Sequence, residues 1–316
     1  MEFIRGIYNL QPHHHGCILT IGNFDGFHRG HQAIIAELRA QSYSRGLQII
    51  VVLFEPQPQE YFFGKDAPAR LTRLRDKIKY LETAGVDVVL CIAFNKKFAS
   101  INAHTFVYDL LIKKLGVHFI GIGDDFRFGA RRQGDFDMLF NMGQQAGFEV
   151  IKTITYTEGG RRISSTAVRE ALKNDRLLEA EMLLGHPYRI SGRVIYGDAV
   201  GRTIGFPTAN ISFQGRKTPI NGVYAVEVYG ISDRPFPGVM NIGTRPTVSG
   251  LCQRLDVHLL NMVINLYGRH IEVVICKKIR NEQQFASLDA LKYQIINDVQ
   301  NVNNYFKLTT IHQHSY

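Results

Sequence analysis

Residues 20–35 read TIGNFDGFHRGHQAII, and two imidazoles, His28 and His31, stand three apart where a glycine-rich turn opens onto a helical pattern. At that spacing both rings can point to one side of a helix start. A helix N-terminus offers N–H groups without intrahelical partners and partial positive charge, which suits phosphate. Glycines at 22, 26 and 30 let the backbone approach a ligand closely. Imidazoles placed there, neutral or protonated, can donate to phosphate oxygens as charge builds up in a transition state. Asn23 and Asp25 are the side chains expected to cap the turn. Two other readings stay open. The turn is structural and its histidines incidental, or the pair binds zinc, although no further ligands stand at a sensible spacing. The pattern is neither GxxxxGK[ST] nor GxGxxG, so P-loop and dinucleotide readings are poor.

Further along, RRISSTAVREAL (161–172) places Ser164, Ser165 and Thr166 at the opening of a helix, with Arg169 in about its first turn. Ser and Thr suit an N-cap, which is reason enough for them. They also make a second phosphate-ready helix start, with Arg169 available to pair with phosphate oxygens. In GRTIGFPTAN (201–210), Pro207 fixes the backbone between glycines, and Thr208 and Asn210 set two hard oxygen ligands two residues apart. That suits Mg²⁺ bridging nucleotide phosphates, and a plain loop between strands is the alternative. GVMNIGTRPTV (238–248) adds a turn with Asn241, Thr244 and Arg245.

The elements that must carry these residues change character along the chain. Strand patterns at Cys17–Ile21, 47–54, 86–94, 119–123 and 149–154 alternate with helical patterns at 31–41, 71–84, 103–115 and 138–146. The second of these helices is expected to turn Leu71, Leu74, Ile78 and Leu81 inward. Such alternation predicts a parallel sheet covered on both faces, with ligands beyond the C-terminal strand ends. After about Leu184 the runs become short, β-type and close to period two, which predicts an antiparallel barrel or sandwich. A last helical segment spans 288–306, with Leu288, Leu291, Ile295 and Val299 on one face. The boundary is set at Leu184–Pro187, giving segments 1–184 and 185–316.

The whole chain, 316 residues with 45% hydrophobic and 21% charged, has the make-up of a soluble globular protein of two domains. No apolar run reaches the roughly 18–20 residues that span a bilayer, and the N-terminus lacks a signal-peptide core. Cys17, Cys91, Cys252 and Cys276 form no CxxC pair and fit free thiols in a reducing cytoplasm. The net charge of +9 admits nucleic acid as well as phosphorylated small molecules. Its basic residues come in pairs rather than a long run, and no RNP-like aromatic motif accompanies them. The triplet His13–His14–His15 is expected to be an exposed polar loop, because no carboxylate cluster accompanies it in sequence.

GNFDGFHRGH together with ISSTAVR resembles the HxGH nucleotidylyltransferase superfamily. FEPQP (54–58), RLTRLRDKI (70–78) and GDDFRFGARRQGD (123–135) narrow the resemblance to bacterial bifunctional riboflavin kinase/FMN adenylyltransferases. GFPTAN, GVYAVEV and IRNEQQF (279–285) resemble that family's kinase module, so the likeness runs over nearly the whole chain with the motifs in family order. It implies a Rossmann-like adenylyltransferase domain followed by a β-barrel kinase domain with a C-terminal helix. It implies two reactions: riboflavin to FMN with ATP, then AMP transfer from ATP to FMN, giving FAD and pyrophosphate, with Mg²⁺ as cofactor. Small molecules are the implied partners, with no nucleic acid and no membrane; adenylyl transfer alone, or another acceptor, are the narrower alternatives.

The same resemblance assigns residues. Gly22, Asn23, Phe24, Asp25, His28, His31, Ser164, Ser165, Thr166 and Arg169 would hold ATP for adenylyl transfer, with His28, His31 and Arg169 catalytic. Phe54, Pro56, Pro58, Asp125, Phe126 and Phe128 would shape the flavin pocket. Gly201, Gly205, Pro207, Thr208 and Asn210 would hold the kinase ATP, with Thr208 and Asn210 on the metal. The kinase base falls on Asp256 in RLDVHLL, where the family's run resembles RLEVHLL, so this carboxylate has one methylene less reach. The turn at 261–268 also lacks the acidic residues common there.

Overall fold

The computed structural model describes residues 1–123, 125–153, 156–158, 161–197, 200–213, 217–247, 250–262 and 264–308. The chain divides into two compact units, Met1–Pro68 with Thr72–Ser165, and Ala69–Leu71 with Thr166–Tyr316.

In the first unit, β1 (Glu2–Arg5), β2 (Cys17–Ile21), β3 (Gln48–Glu55), β4 (Val88–Ala93), β5 (Val117–Ile122) and β6 (Glu149–Lys152) form one sheet in the order β1-β4-β3-β2-β5-β6. Every pairing in it is parallel. All five residues of β2 are buried, because both faces of the strand are covered. Leu19 and Ile21 pack with Val107, Leu111 and Leu139 on one face. Ile18 packs with Ile35, Leu38 and Leu81 on the other. The covering helices are α1 (Arg29–Arg45), α2 (Pro58–Phe63), α3 (Leu74–Thr83), the short α4 (Lys96–Ala99) and α5 (Ala103–Thr105), a π-helix (Phe106–Lys114), and α6 (Phe136–Ala146). A two-strand ribbon, β7 (Thr157–Glu158) with β8 (Arg161–Arg162), follows.

Several expectations are corrected. The edge strand β1 has no counterpart in the pattern of short runs, being four residues long with exposed ends. The segment expected as one α-helix over 103–115 winds mostly as a π-helix, which gathers Phe106, Val107, Leu110 and Leu111 on the buried side. Leu71 precedes α3 and is buried in the core of the second unit, where the Arg70 N–H donates to the Lys217 carbonyl at 3.0 Å. His14 is buried, and a carboxylate does accompany the triplet: His14 Nε2 lies 3.0 Å and His13 Nε2 3.5 Å from Glu2 Oε2. His14 Nδ1 accepts the Gln11 N–H at 2.8 Å, so its proton sits on Nε2 and bonds Glu2 instead of leaving a lone pair for a metal. The bond from His14 holds the Glu2 carboxyl below its ordinary range. Cys17, Cys91 and Cys276 are free thiols, and the Cys252 side chain, like Ile154 and Asp124, lies outside the described residues.

In the second unit, α7 (Ser165–Lys173) and α8 (Leu177–Leu184) precede β9 (Arg189–Ile195), and α9 (Val200–Thr203) follows it. Then come β10 (Ala209–Ile211), β11 (Gly222–Tyr229), β12 (Phe236–Thr247), β13 (Gly250–Leu259), β14 (His270–Arg280) and α10 (Leu288–Phe306). The strands close into a barrel in the order β10-β13-β12-β11-β14-β9, antiparallel throughout. Val168, Leu172 and Leu184 of α7 and α8 are buried in the same cluster as the barrel interior. The compact units therefore divide at the first residue of α7, between Ser165 and Thr166, earlier than the change of texture at Leu184.

Period two decides which barrel residues face the core. Ala209 and Ile211, Leu255 and Val257, and Met240 and Ile242 fill the interior. Asn210, Asp256 and Asn241 are thereby turned to the outer wall. Part of that wall is covered by α10, whose Val299 and Val302 pack on Val223, Ala225, Val239 and Leu260. Leu288, expected on the packed face, is largely exposed at the first turn. Arg280 of β14 pins the helix: its Nε and Nη2 donate to the buried Asp298 carboxylate at 2.8–3.0 Å.

Removing one member of so enclosed a pair leaves an uncompensated charge, at a cost of about 3–5 kcal/mol. Asp298→Ala is therefore expected to shift urea unfolding of the second unit to clearly lower denaturant. A midpoint matching wild type would contradict the role given to this pair.

Candidate active sites

In the first unit, β2 stands where the strand order reverses, and the turn at 22–28 leaves its C-terminal end. Such a switch point opens a crevice in a parallel sheet. The turn holds two phenylalanines in the left-handed region, Phe24 (φ 47°) and Phe27 (φ 43°), beside Gly26 (φ 85°). Bulky residues adopt that conformation only where packing compels it. Here both rings are buried, and Phe27 stacks on Tyr80 of α3 at 5.5 Å. Phe24, expected among the nucleotide-binding residues, thus places its side chain in the core and supports the turn from beneath.

The cap of α1 is neither Asn23 nor Asp25. It is His28, whose Nδ1 accepts the His31 N–H at 3.3 Å. Asp25 is buried, and its Oδ1 accepts the Thr72 N–H at 3.0 Å. Thr72 Oγ1 accepts the Gly26 N–H at 2.9 Å, and Ser165 Oγ donates to the Asp25 carbonyl at 2.8 Å. Asp25 and Ser165 therefore knit the turn to the segments before α3 and at the start of α7. Gly30 lies close under the ring: a Cβ there would stand 3.1 Å from His28 Nδ1 and press on it.

The His28 and His31 rings stack at 3.6 Å, and His31 leans on Phe24 at 4.8 Å. Burial, then the neighbouring His28 and the Lys77 ammonium, holds His31 well below the ordinary histidine value, so it is neutral near pH 7. His31 Nδ1 is enclosed without a hydrogen-bond partner, which leaves Nε2 as the ring nitrogen available to a ligand. His28, whose Nδ1 accepts a bond, carries its proton on Nε2 when neutral. Gly22 and Asn23 are half-exposed on the turn, and Ser164 is half-buried. Thr166 is exposed on α7. Arg169 belongs to the second unit, where its Nε donates to the Ala69 carbonyl at 2.6 Å.

The expected flavin residues lie along an aromatic chain. Phe54 contacts Phe98 at 5.4 Å, Phe98 meets Phe106 at 6.2 Å, Phe106 meets Phe128 at 5.6 Å, and Phe128 stacks on Phe126 at 5.5 Å. Pro56 follows a cis peptide bond and Pro58 opens α2. Asp125 is exposed and 3.4 Å from Arg162. Tyr61, Phe62 and Phe94 extend the wall, with Phe62 exposed at 62%. The signal for Tyr61 and Phe62 in the sequence is the run EYFF (60–63), one residue after PQP.

In the second unit a cavity of about 270 Å³ lies on the outer barrel wall under α10. Thr208, Asn241, Arg254, Asp256 and Glu282 line its polar side, and Leu291, Ile295 and Val299 its apolar side. Asn210 and Asn241 are the direct cross-strand neighbours of Asp256 on β10 and β12. Arg254 Nε donates to Asn210 Oδ1 at 2.7 Å and to Asp256 Oδ1 at 3.2 Å. His258, held below its ordinary value by burial, bonds the Pro207 carbonyl through Nδ1 at 2.9 Å and fixes the PTAN loop. A Cβ at Gly201 would strike the Phe206 carbonyl, whereas Gly205 (φ 90°) serves the turn itself. Glu282, unnoticed in the sequence, accepts the Thr244 N–H at 3.3 Å. The Arg245 side chain lies outside the described residues.

Two family profiles match the chain, FAD synthetase over residues 10–167 and riboflavin kinase over 184–306. The chain is 57% identical to a bifunctional riboflavin kinase/FMN adenylyltransferase of Escherichia coli over 98% of its own length and 99% of that protein. The chain belongs to the bifunctional riboflavin kinase/FMN adenylyltransferase family. A relative of the same description from Haemophilus influenzae is 52% identical over 97% of the chain and 99% of that protein. A crystal structure described as a macrolide-efflux protein from Streptococcus pneumoniae superposes with a TM-score of 0.79 at 28% identity, covering 96% of this chain and 99% of that one. No helix among the described residues is long and apolar enough to cross a membrane. The FAD synthetase match covers strands β2 to β6 of the parallel sheet, and the riboflavin kinase match covers the barrel strands and α10.

With His31 neutral in the fold, an unfolded chain would protonate the same ring near the usual value of about 6.5. The unfolded state then binds the extra proton, so this residue's contribution to stability falls as pH drops below about 6.5. In an NMR titration the His31 ring resonances are expected to stay at their neutral positions through pH 6. A midpoint near the ordinary value would contradict the neutral imidazole.

Proposed function

We propose that the barrel makes FMN from riboflavin and ATP, and that the parallel-sheet unit makes FAD from FMN and a second ATP. The observation that carries this is the pairing, within each unit, of a polar cluster suited to phosphates with an apolar wall suited to a flat ring system. Residues 1–184 are assigned to adenylyl transfer and 185–316 to phosphorylation, and the free thiols favour a reducing cytoplasm.

For adenylyl transfer, a phosphate oxygen of FMN attacks the α-phosphorus of ATP in line while the bond to pyrophosphate breaks. No enzyme nucleophile is needed; the protein positions the reactants and stabilises charge. The Nε2–H groups of stacked His28 and His31 donate to the phosphate oxygens, and the free amides of α1 add their partial charge. Ser164 and Ser165 are assigned to the departing pyrophosphate. The aromatic chain from Phe54 to Phe126, extended by Phe62, takes the isoalloxazine.

For phosphorylation, the ribityl hydroxyl oxygen bonds to the γ-phosphorus as the bond to ADP breaks, and Asp256 accepts or orients the hydroxyl proton. Leu291, Ile295 and Val299 offer the apolar face for the flavin. The residues present fit Mg²⁺. Thr208 and Asn210 supply neutral hard oxygens near the Asp256 carboxylate, and Gly201 keeps space beside Thr208 that a Cβ would fill. When bound, the cation would neutralise phosphate charge. Asn210 and Thr208 would hold it, and Asp256, one strand away from Asn210, keeps its role toward the hydroxyl.

Separating flavins by chromatography after incubation with ATP and Mg²⁺ tests both assignments. His31→Ala is expected to abolish FAD formation from FMN nearly completely while riboflavin is still converted to FMN. Asp256→Asn is expected to do the reverse, lowering FMN formation by about 10²–10⁴-fold. Equal loss of both products in either variant would contradict the division of labour.

A further inference from the structure

The outer wall of the barrel holds a residue that neither assignment uses. Arg254 lies two positions before Asp256 on β13, so both side chains leave the same face of the strand. Its Nε stands within hydrogen-bond distance of two oxygens, Asn210 Oδ1 at 2.7 Å and Asp256 Oδ1 at 3.2 Å. Both acceptors belong to the set that would receive ATP and the hydroxyl. The Arg254 and Asp256 side chains are 24% and 16% exposed, so water competes little for the contact. Gly197 closes over the pair: a Cβ there would strike Arg254 Nη2 and the Asn210 amide.

We infer that Arg254 is a positioning residue for phosphoryl transfer, one guanidinium fixing the Asn210 oxygen and the Asp256 carboxylate in a single arrangement. This rests on the kinase reading of the barrel. An amide can present either its oxygen or its NH₂, and an N–H donor beside it selects the oxygen. The carbonyl keeps a second lone pair for a cation, as bonded metal ligands generally do. The aspartate has less reach than a glutamate, so its position depends more on what grips it. A misplacement of about 1 Å can cost roughly 10²-fold in rate. Lysine has the charge but not the planar fork, so it does not reproduce the bridge.

The test compares Arg254→Met, Arg254→Lys, Asp256→Asn and the double variant Arg254→Met/Asp256→Asn in the full-length chain. Riboflavin phosphorylation is measured by steady-state kinetics, and Mg²⁺-dependent ADP binding by calorimetry. Thermal unfolding of each variant is recorded alongside. Arg254→Met is expected to lower kcat by about 10²-fold with riboflavin KM changed only a few-fold, and Arg254→Lys to recover little of it. The double variant should be no slower than Asp256→Asn alone, because the arginine acts through that carboxylate. The Mg²⁺-dependent part of ADP affinity should fall about tenfold in Arg254→Met, reporting the loosened Asn210. Unchanged kcat in a cooperatively folded Arg254→Met, full recovery by lysine, additive losses in the double variant, or unchanged Mg²⁺-dependent ADP binding would each overturn the inference. A wild-type chain forming no FMN from riboflavin would bring down the kinase reading and the inference with it.

Discussion

Close packing of two apolar interiors governs where polar chemistry can sit. A core filled near crystal density has no room for an unpaired imidazole or carboxylate. In the parallel sheet both faces are taken by helices, so reactive groups are confined to the loops at the strand ends. In the barrel the interior is occupied by alternate residues such as Met240, Leu255 and Val257, so polar groups are confined to the outside. The first arrangement yields a turn at the end of β2. The second yields a wall that would be ordinary surface if α10 did not lie across it.

That difference sets how each cluster is held. The turn at 22–28 is strained in its backbone, with two phenylalanines in left-handed conformations, and is stabilised by burying their rings. Asp25, expected to face the nucleotide, is used inward to bond Thr72. The barrel cluster has regular β backbone and is held by side chains: Arg254 across β10 and β13, and His258 on the PTAN loop. α10 is kept in place by the enclosed Arg280–Asp298 pair.

Much of this was legible in the sequence, and the rest was hidden for identifiable reasons. Alternation of strand and helix patterns pointed to the parallel sheet, and the period-two runs after Leu184 to a barrel. α10 could be read from 288 to 306 because its apolar residues recur at helical spacing. β1 escaped because an edge strand of four residues leaves too short a pattern. Leu71 was misplaced because an apolar residue one turn before a helix fits the helical period, and nothing local says that it packs elsewhere. The cap of α1 was misjudged because Asn and Asp are the usual acceptors, while His28 does the work with a ring nitrogen. Glu282 and the link from Arg254 to Asn210 depend on strands brought together by barrel closure, which no local spacing records.

Gly197 has no polar atom of its own beyond the peptide, and it sits over the Arg254–Asn210 contact, where a Cβ would push both side chains out of place. In a genetic screen for loss of riboflavin phosphorylation, lesions at this codon would therefore surface beside those of the carboxylate itself. A geneticist would meet them as silent in chemistry yet severe in phenotype, since what is inherited at that position is an absence of bulk.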